Sequence, residues 1–311
     1  MAHVLRMAPA LSEKIWGGHR LKDLYNYSIP SNKTGEAWVI SGHKNGPSTI
    51  VNGEYKGMTL AELFDQHREL FGNIEGKEFP LLIKFIDASD DLSVQVHPDD
   101  DYASKYENSL GKTEAWYILD AEMGTDMIVG HHAETKEELK DYIERDDWDG
   151  LLNKFPIMKG DFFFIPAGTI HAICAGTLVY EAQQSSDITY RLYDYHRKDD
   201  NGQERELHID QAVAVTKCPA IIGETNAEKE EVFDGYIIHR FVKSDYLSVY
   251  RIDVQTKAVI KNNGPFQLLT VIEGHGTING EEAVKGDNFV ICSDVDEVVY
   301  EGQLEVMMTT L

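Results

Sequence analysis

The sequence predicts a mainly β protein made of two jelly-roll β-sandwich domains with short helical insertions. Three observations carry this fold class. Short segments rich in β-branched and aromatic residues recur along the chain and end at Gly, Pro, Asn or Asp. A strand–turn–strand unit followed by Lys-Gly-Asp occurs twice, at Lys159–Asp161 and Lys285–Asp287. Helical periodicity with a capping signal is confined to a few short stretches.

The strand segments follow in order as "EAWVIS", "PLLIKFID", "LSVQVH", "AWYILDA", "DMIVG", "DFFFIP", "TLVYEA" and "ITYRLYDY". In "LSVQVH", Leu92, Val94 and Val96 form an apolar row and Ser93, Gln95 and His97 a polar one, the alternation of a strand buried on one face. Helices are expected where Thr59 and Glu62 open "TLAELFDQHRELF" as a capping box and where Thr135 and Glu138 open "TKEELKDYIERDDWDGLL". These place helical insertions at about 57–74 and 133–155, with a further short helix in "IDQAVAVTK". "GETNAEKEEVFDGY" reads as a polar linker or exposed loop, and about seven strands follow from Val232.

The repeat sets the domain count. "AWYILDAEMGTDMIVG" precedes "MKGDFFFIPAGTIHAI", as "LLTVIEGHGTINGEEA" precedes "VKGDNFVICSDVDEVV". Each copy is a hydrophobic strand, a glycine turn, a second strand, Lys-Gly-Asp and an apolar strand, which points to two sandwiches, residues 1–225 and 226–311.

The chain has 311 residues and a net charge of -24, which argues against nucleic acid or an anionic membrane as partner. It contains no apolar run long enough to cross a bilayer. "MAHVLRMAPALSEKIWGG" carries His3, Arg6 and Glu13 and does not read as a signal peptide, so a cytoplasmic protein is expected. Three irregularly spaced cysteines argue against a disulfide framework and a cysteine-built zinc site. An anionic substrate would need a local cluster of Lys and Arg to reverse the global field. The sequence sets no oligomeric state.

"GDFFFIPAGTIHA" places Gly160, Pro166, Gly168 and His171 in a spacing that resembles the second motif of the cupin superfamily. A glycine permits the entry turn, and Pro166 with Gly168 shapes a hairpin that aims His171 inward. The first cupin motif supplies two further ligands one residue apart and then a glutamate. By that resemblance the ligands are Gln95 and His97, with Glu114 of "GKTEAWYIL". Two imidazoles, one carboxylate and an amide oxygen suit Zn²⁺ or another first-row divalent ion. The second copy has no histidine matching His171, so 226–311 is expected to be a degenerate, metal-free cupin-like domain. His131-His132 and Asp99-Asp100-Asp101 look metal-like but fall in expected loops and read as solvated.

With "EAQQSSDITYRLYDYHR", "WGG" and "TGEAWVIS" added, these motifs resemble type I mannose-6-phosphate isomerase in its shorter bacterial form. The resemblance is strong over about residues 5–220 and loose beyond. It implies a zinc-dependent enzyme that interconverts mannose 6-phosphate and fructose 6-phosphate through an enediol, with metal ligands on Gln95, His97, Glu114 and His171. It makes Arg191 catalytic, Lys112 a proton-transfer or phosphate group, Ser93 a phosphate contact and Glu181 an active-site acid. Arg191 shares a strand face with Thr189 and Tyr193, and its structural alternative is an ion pair with Glu181. Lys112 falls on the face of Glu114 if the strand is regular. Lys84, a charge inside "LLIKFID", either snorkels from an edge or reaches the site to bind substrate. Larger members carry tyrosine where this chain has Ile173. Two rival readings stand beside the isomerase: a cupin iron(II) oxygenase, which leaves Arg191 and Lys112 without a role, and a non-enzymatic sugar-phosphate-binding cupin, which needs an output surface the charge does not offer.

Overall fold

The computed structural model describes residues 3–198, 202–221 and 229–311. The described strands form a six-stranded, a five-stranded and a ten-stranded sheet. The first two face each other as a sandwich. In the six-stranded sheet, Phe162–Ile165, Glu114–Ala121, Thr177–Gln184 and Leu81–Ala88 lie side by side, followed by Ala10–Gly18 and Thr34–Ser41. In the five-stranded sheet, the order is Tyr190–Tyr193, Val94–Val96, His171–Ile173, Asp126–His131 and Leu152–Pro156. The ten-stranded sheet is built from the chain after residue 229, together with Val4–Ala8 and Thr49–Ile50.

Alternation along each central strand splits its side chains between two cores. On strand Glu114–Ala121, Trp116 and Ile118 face the interior of the sandwich, where they meet Trp16, Ile86 and Val179. Ala115, Tyr117 and Leu119 face the opposite way and pack with Phe85 and Tyr180 against Leu268, Ile272 and Met307 of the ten-stranded sheet. That shared core welds the two halves back to back. The Tyr180 hydroxyl and Thr309 Oγ1 close it with a 2.8 Å hydrogen bond.

The repeat is real at the level of single hydrogen bonds. Gly160 and Gly286 both turn with positive φ, 97° and 95°, the conformation glycine reaches without steric cost. Ile118 N donates to Asp161 O at 2.9 Å, and Val271 N to Asp287 O at 2.9 Å. Registers therefore superpose Glu114 on Gln267, Trp116 on Leu269, Glu181 on Met308 and Lys84 on Tyr250. Leu269 and Met308 belong to the apolar core of the second sandwich. The donor set of the first copy is not repeated at these positions.

Both expected capped helices form. Glu62 N donates to Thr59 Oγ1 and Thr59 N to the Glu62 carboxylate, which completes the box at Leu60–Gln66. At Lys136–Glu144 only half of it forms, because Glu138 accepts from Glu134 N instead of Thr135 N. The second insertion also ends early: after the short helix Trp148–Leu151 the chain becomes strand Leu152–Pro156. Ile209–Val215 is helical as expected.

Four expectations need correction. The Asp99–Asp101 run is no loop: Asp99 Oδ1 accepts from Tyr102 N and caps helix Asp100–Tyr106. Arg20–Tyr25 is a further helix outside the expected insertions. His131 is buried at a strand end, its Nε2 3.0 Å from Lys217 O, rather than solvated. Residues 222–228 of the expected linker, with the boundary near 225, lie outside the described residues; beyond them Lys229–Phe233 is a strand, folded onto Tyr236–Lys243 by an Asp234–Gly235 hairpin turn.

Candidate metal and substrate site

The site lies between the two sheets of the first sandwich. On the five-stranded sheet Gln95 pairs in register with His171 on one side and Arg191 on the other. Residues directly opposite on neighbouring strands share a face, so all three point at the six-stranded sheet. His97 follows at the end of the same strand, and Gly168 N donates to its carbonyl at 2.9 Å. The expected apolar row is only partly kept. Val94 and Val96 pack on the outer core, while Leu92 turns into the sandwich interior beside Trp116.

On the six-stranded sheet a single row crosses four strands: Trp38, Lys84, Glu181 and Trp116 are mutually in register. Glu114, two residues before Trp116, joins that face. Lys84 therefore does not snorkel from an edge. It lies on a central strand, 3.2 Å from Glu181, and over the Trp38 ring. Glu181 also accepts from the Trp116 indole at 3.0 Å. Arg191 makes no ion pair with Glu181. Its Nε donates to Ser93 Oγ at 3.2 Å and its Nη1 to Glu206 O at 2.8 Å.

His97, Glu114 and His171 converge, with one ligand atom from each within 4.8 Å of the others. Each imidazole is oriented from behind: His97 Nδ1 is 2.8 Å from Ile188 O, and His171 Nδ1 is 2.9 Å from Thr169 O. Those carbonyls require N–H at Nδ1, which leaves Nε2 as a lone pair. His97 Nε2 is 3.6 Å from one Glu114 oxygen and His171 Nε2 3.3 Å from the other. Lone pairs thus face a carboxylate in a wholly buried space, and His171 Nε2 has no hydrogen-bond partner. A cation resolves that conflict, so the residues fit a divalent metal ion.

Electrostatics agree. Burial, then the Lys112 ammonium, push His171 down to about 3, and hold His97 well below its ordinary value, so both rings are neutral donors. Burial pushes the Glu114 carboxyl up to about 7, with Glu181 adding to it, despite the opposing pull of Lys112. Lys112 precedes the strand rather than lying on it, yet its ammonium stands 2.9 Å from Glu114 and 3.1 Å from His97 Nε2.

A cavity of about 490 Å³ opens over this floor. Gln95 and Lys112 line it, as do Ser93, Lys84, Glu181 and Arg191, so every other sequence-predicted site residue reaches it. Lys14, Lys84, Lys112, Arg191 and Arg205 face three lining carboxylates, Glu36, Glu181 and Asp187. Five cations against three acids make the pocket locally positive in a chain of net charge -24. Ile173, where larger members carry tyrosine, forms part of its wall. Sequence reasoning missed Lys14, Glu36 and Arg205. The Thr34–Glu36–Trp38 row was readable as a period-two polar face, but Arg205 lies in a polar segment with no periodicity.

This architecture defines a cupin of the metal-binding kind with a pocket for a small anion. Residues 4–129 match the family "Phosphomannose isomerase type I, catalytic domain", and residues 237–311 match "Mannose-6-phosphate isomerase, cupin domain". The probable mannose-6-phosphate isomerase GmuF of Bacillus subtilis is 47% identical, with 99% of each chain covered. The mannose-6-phosphate isomerase of Streptococcus mutans is 44% identical over 99% of this chain and 98% of its own. A crystal structure of mannose 6-phosphate isomerase from Bacillus subtilis superposes with a TM-score of 0.96 at 44% identity, covering 100% of both chains. The chain belongs to the mannose-6-phosphate isomerase family, and its activity is the interconversion of mannose 6-phosphate and fructose 6-phosphate.

Proposed function

We propose that this isomerase works with one divalent metal ion, Zn²⁺, held by Gln95, His97, Glu114 and His171. The convergence of two tautomer-fixed imidazoles on one buried carboxylate carries the proposal. When bound, such an ion supplies Lewis-acid polarisation of the sugar oxygens at C1 and C2. The remaining steps belong to the protein. Moving a proton between C2 and C1 needs a group that reaches one face of both carbons. Lys112 is the buried titratable group nearest the metal donors that also lines the cavity. Glu181, held by Lys84 and Trp116, keeps a second carboxylate beside it. Arg191, which has no carboxylate partner within ion-pair distance among the described residues, offers a planar guanidinium to two adjacent oxygens of the substrate. Ser93 and Lys84 contribute to phosphate binding, a role that for Lys112 competes with its place at the reacting carbons.

The same proposal makes residues 1–225 the catalytic unit and 226–311 a metal-free companion, in line with Gln267 standing where the first copy has the Glu114 carboxylate. It also places the enzyme in the cytoplasm, in line with three unpaired cysteines and a phosphorylated metabolite as substrate. The test is metal analysis of the purified protein with a coupled assay of mannose 6-phosphate conversion. One ion per chain, activity abolished by chelation and restored by Zn²⁺, with the circular dichroism unchanged, is expected. Full activity after complete demetallation refutes the mechanism.

A further inference from the structure

The Asp99–Asp101 run does nothing for the metal, yet one of its carboxylates is built into the loop that delivers Lys112. Three consecutive backbone amides of that loop are each held by an acceptor from a different element. Gly111 N donates to Asp100 Oδ1 at 2.7 Å. Lys112 N donates to Pro98 O at 3.0 Å. Thr113 N donates to Gln184 Oε1 at 2.9 Å. Gln184 Nε2 then donates to Asp100 Oδ1 at 3.0 Å, which ties the first and third clamps together. The loop also sits hard against the helix: a Cβ on Gly111 would lie 2.5 Å from Asp100 N. The side chains of Gln184 and Thr113 are buried, so water does not substitute for the bond between them, while Asp100 is half-buried.

We propose that Asp100, coupled to Gln184, is a positioning residue for the isomerisation: it fixes the Lys112 ammonium against Glu114 and His97. The proposal rests on the assignment of Lys112 to the reaction. Asp100 lines no part of the cavity and touches no metal donor, so it acts only through the loop. Asp99 is the internal contrast, because its carboxylate caps the helix at Tyr102 N and holds no atom of the loop.

The variants are Asp100→Ala, Asp100→Asn, Asp99→Ala and Lys112→Ala, with the Asp100→Ala/Lys112→Ala double variant, all assayed as the metal-loaded protein. A misplacement of order 1 Å in a reacting group costs about 100-fold, so Asp100→Ala is expected to lower kcat/KM about 10- to 100-fold with metal content unchanged. Asp100→Asn keeps an oxygen acceptor and is expected to stay within about threefold of the parent. Asp99→Ala is expected to lower stability and leave kcat/KM unchanged. In the double variant the Asp100 change should add nothing to the loss caused by Lys112→Ala, the signature of residues acting as a unit. Multiplying losses in the double variant, or Asp100→Asn as damaged as Asp100→Ala, overturns the proposal while leaving the role of Lys112 intact. Full activity of Lys112→Ala overturns that role and this proposal with it. Should Asp100→Ala not fold, Gln184→Ala removes the third clamp and must show the same non-additivity.

Discussion

Replacing Lys84 by Met tests whether the row that crosses the six-stranded sheet is held by charge. Lys84 and Glu181 are 3.2 Å apart with side chains 6% and 3% exposed. At an effective dielectric of about 20 such a pair attracts by roughly 5 kcal/mol before desolvation is charged against it. Burial pushes the Glu181 carboxyl up, but Lys84, Lys112 and the Trp116 indole outweigh burial and hold it below the usual carboxylate range. Without Lys84 the carboxylate stays buried with the indole and the more distant Lys112. Breaking a buried pair from one side costs about 3–5 kcal/mol, and the surviving partners put Lys84→Met at the lower end, about 3 kcal/mol. Removing both charges is different. Tyr250 and Met308 occupy the equivalent positions of the second copy, so this register accepts an apolar pair. Lys84→Met/Glu181→Met should therefore recover about 2 kcal/mol or more of the loss. The pH sign follows from the lowered carboxyl. Its contribution is complete above the unfolded value of about 4.3 and is lost as pH falls through the folded one. The assay is urea denaturation of the three proteins at pH 7.5 and again at about pH 3.5, below the unfolded carboxyl value, where the deficit of Lys84→Met should shrink as Glu181 takes up a proton. A single variant costing under about 1 kcal/mol, or a double variant no more stable than the single, refutes the reasoning.

Other expectations are shorter. His171→Ala should drop metal content well below one ion per chain while far-ultraviolet circular dichroism is retained; stoichiometric metal would remove His171 from the donor set. Thr59→Ala removes the side-chain half of the capping box at Leu60–Gln66, leaves the Thr59 N bond to Glu62, and should cost about 1 kcal/mol in urea denaturation. Asp194, despite burial, is held below the carboxylate range by Arg205 and Arg197, with Arg205 Nε at 2.7 Å. Asp194→Asn should thus cost about 2 kcal/mol at pH 7, and the difference from the parent should fade as pH drops below about 3.9 and through the folded value. A difference independent of pH would show that the carboxylate charge is not what Arg205 and Arg197 read.

The strand segments of the first sandwich were legible because periodicity reports burial directly. Gln95 stood on a strand whose alternation aimed it inward, His171 behind a Pro166–Gly168 hairpin, and Glu114 was found through the resemblance to the cupin motif. The repeat was legible because Lys-Gly-Asp forces the same positive-φ turn twice. Lys112 came out beside Glu114 for a reason other than the expected one: the loop clamps, not strand alternation, bring it there. Leu92 broke its row because the strand proper starts only at Val94, and dihedral continuity before that point is not written in hydrophobicity. The helix at Asp100–Tyr106 was missed although Asp99 is a good cap, since its seven residues bury little beyond Ala103 and carry no apolar stripe. Lys229–Phe233 was hidden by its charge, the usual dress of an edge strand. The destination of Val4–Ala8 had no local signal at all.

That segment carries a consequence for biosynthesis. Val4–Ala8 hydrogen-bonds to Asn288–Cys292, so this segment is synthesised long before that neighbour. Until then Val4–Ala8 has only Thr49–Ile50 beside it, and folding dominated by such distant partnerships is slow and prone to clumping. A copy cut short before residue 288 leaves one edge of that segment bare, and the two halves are not separable products: each lends a strand to the seam that joins them.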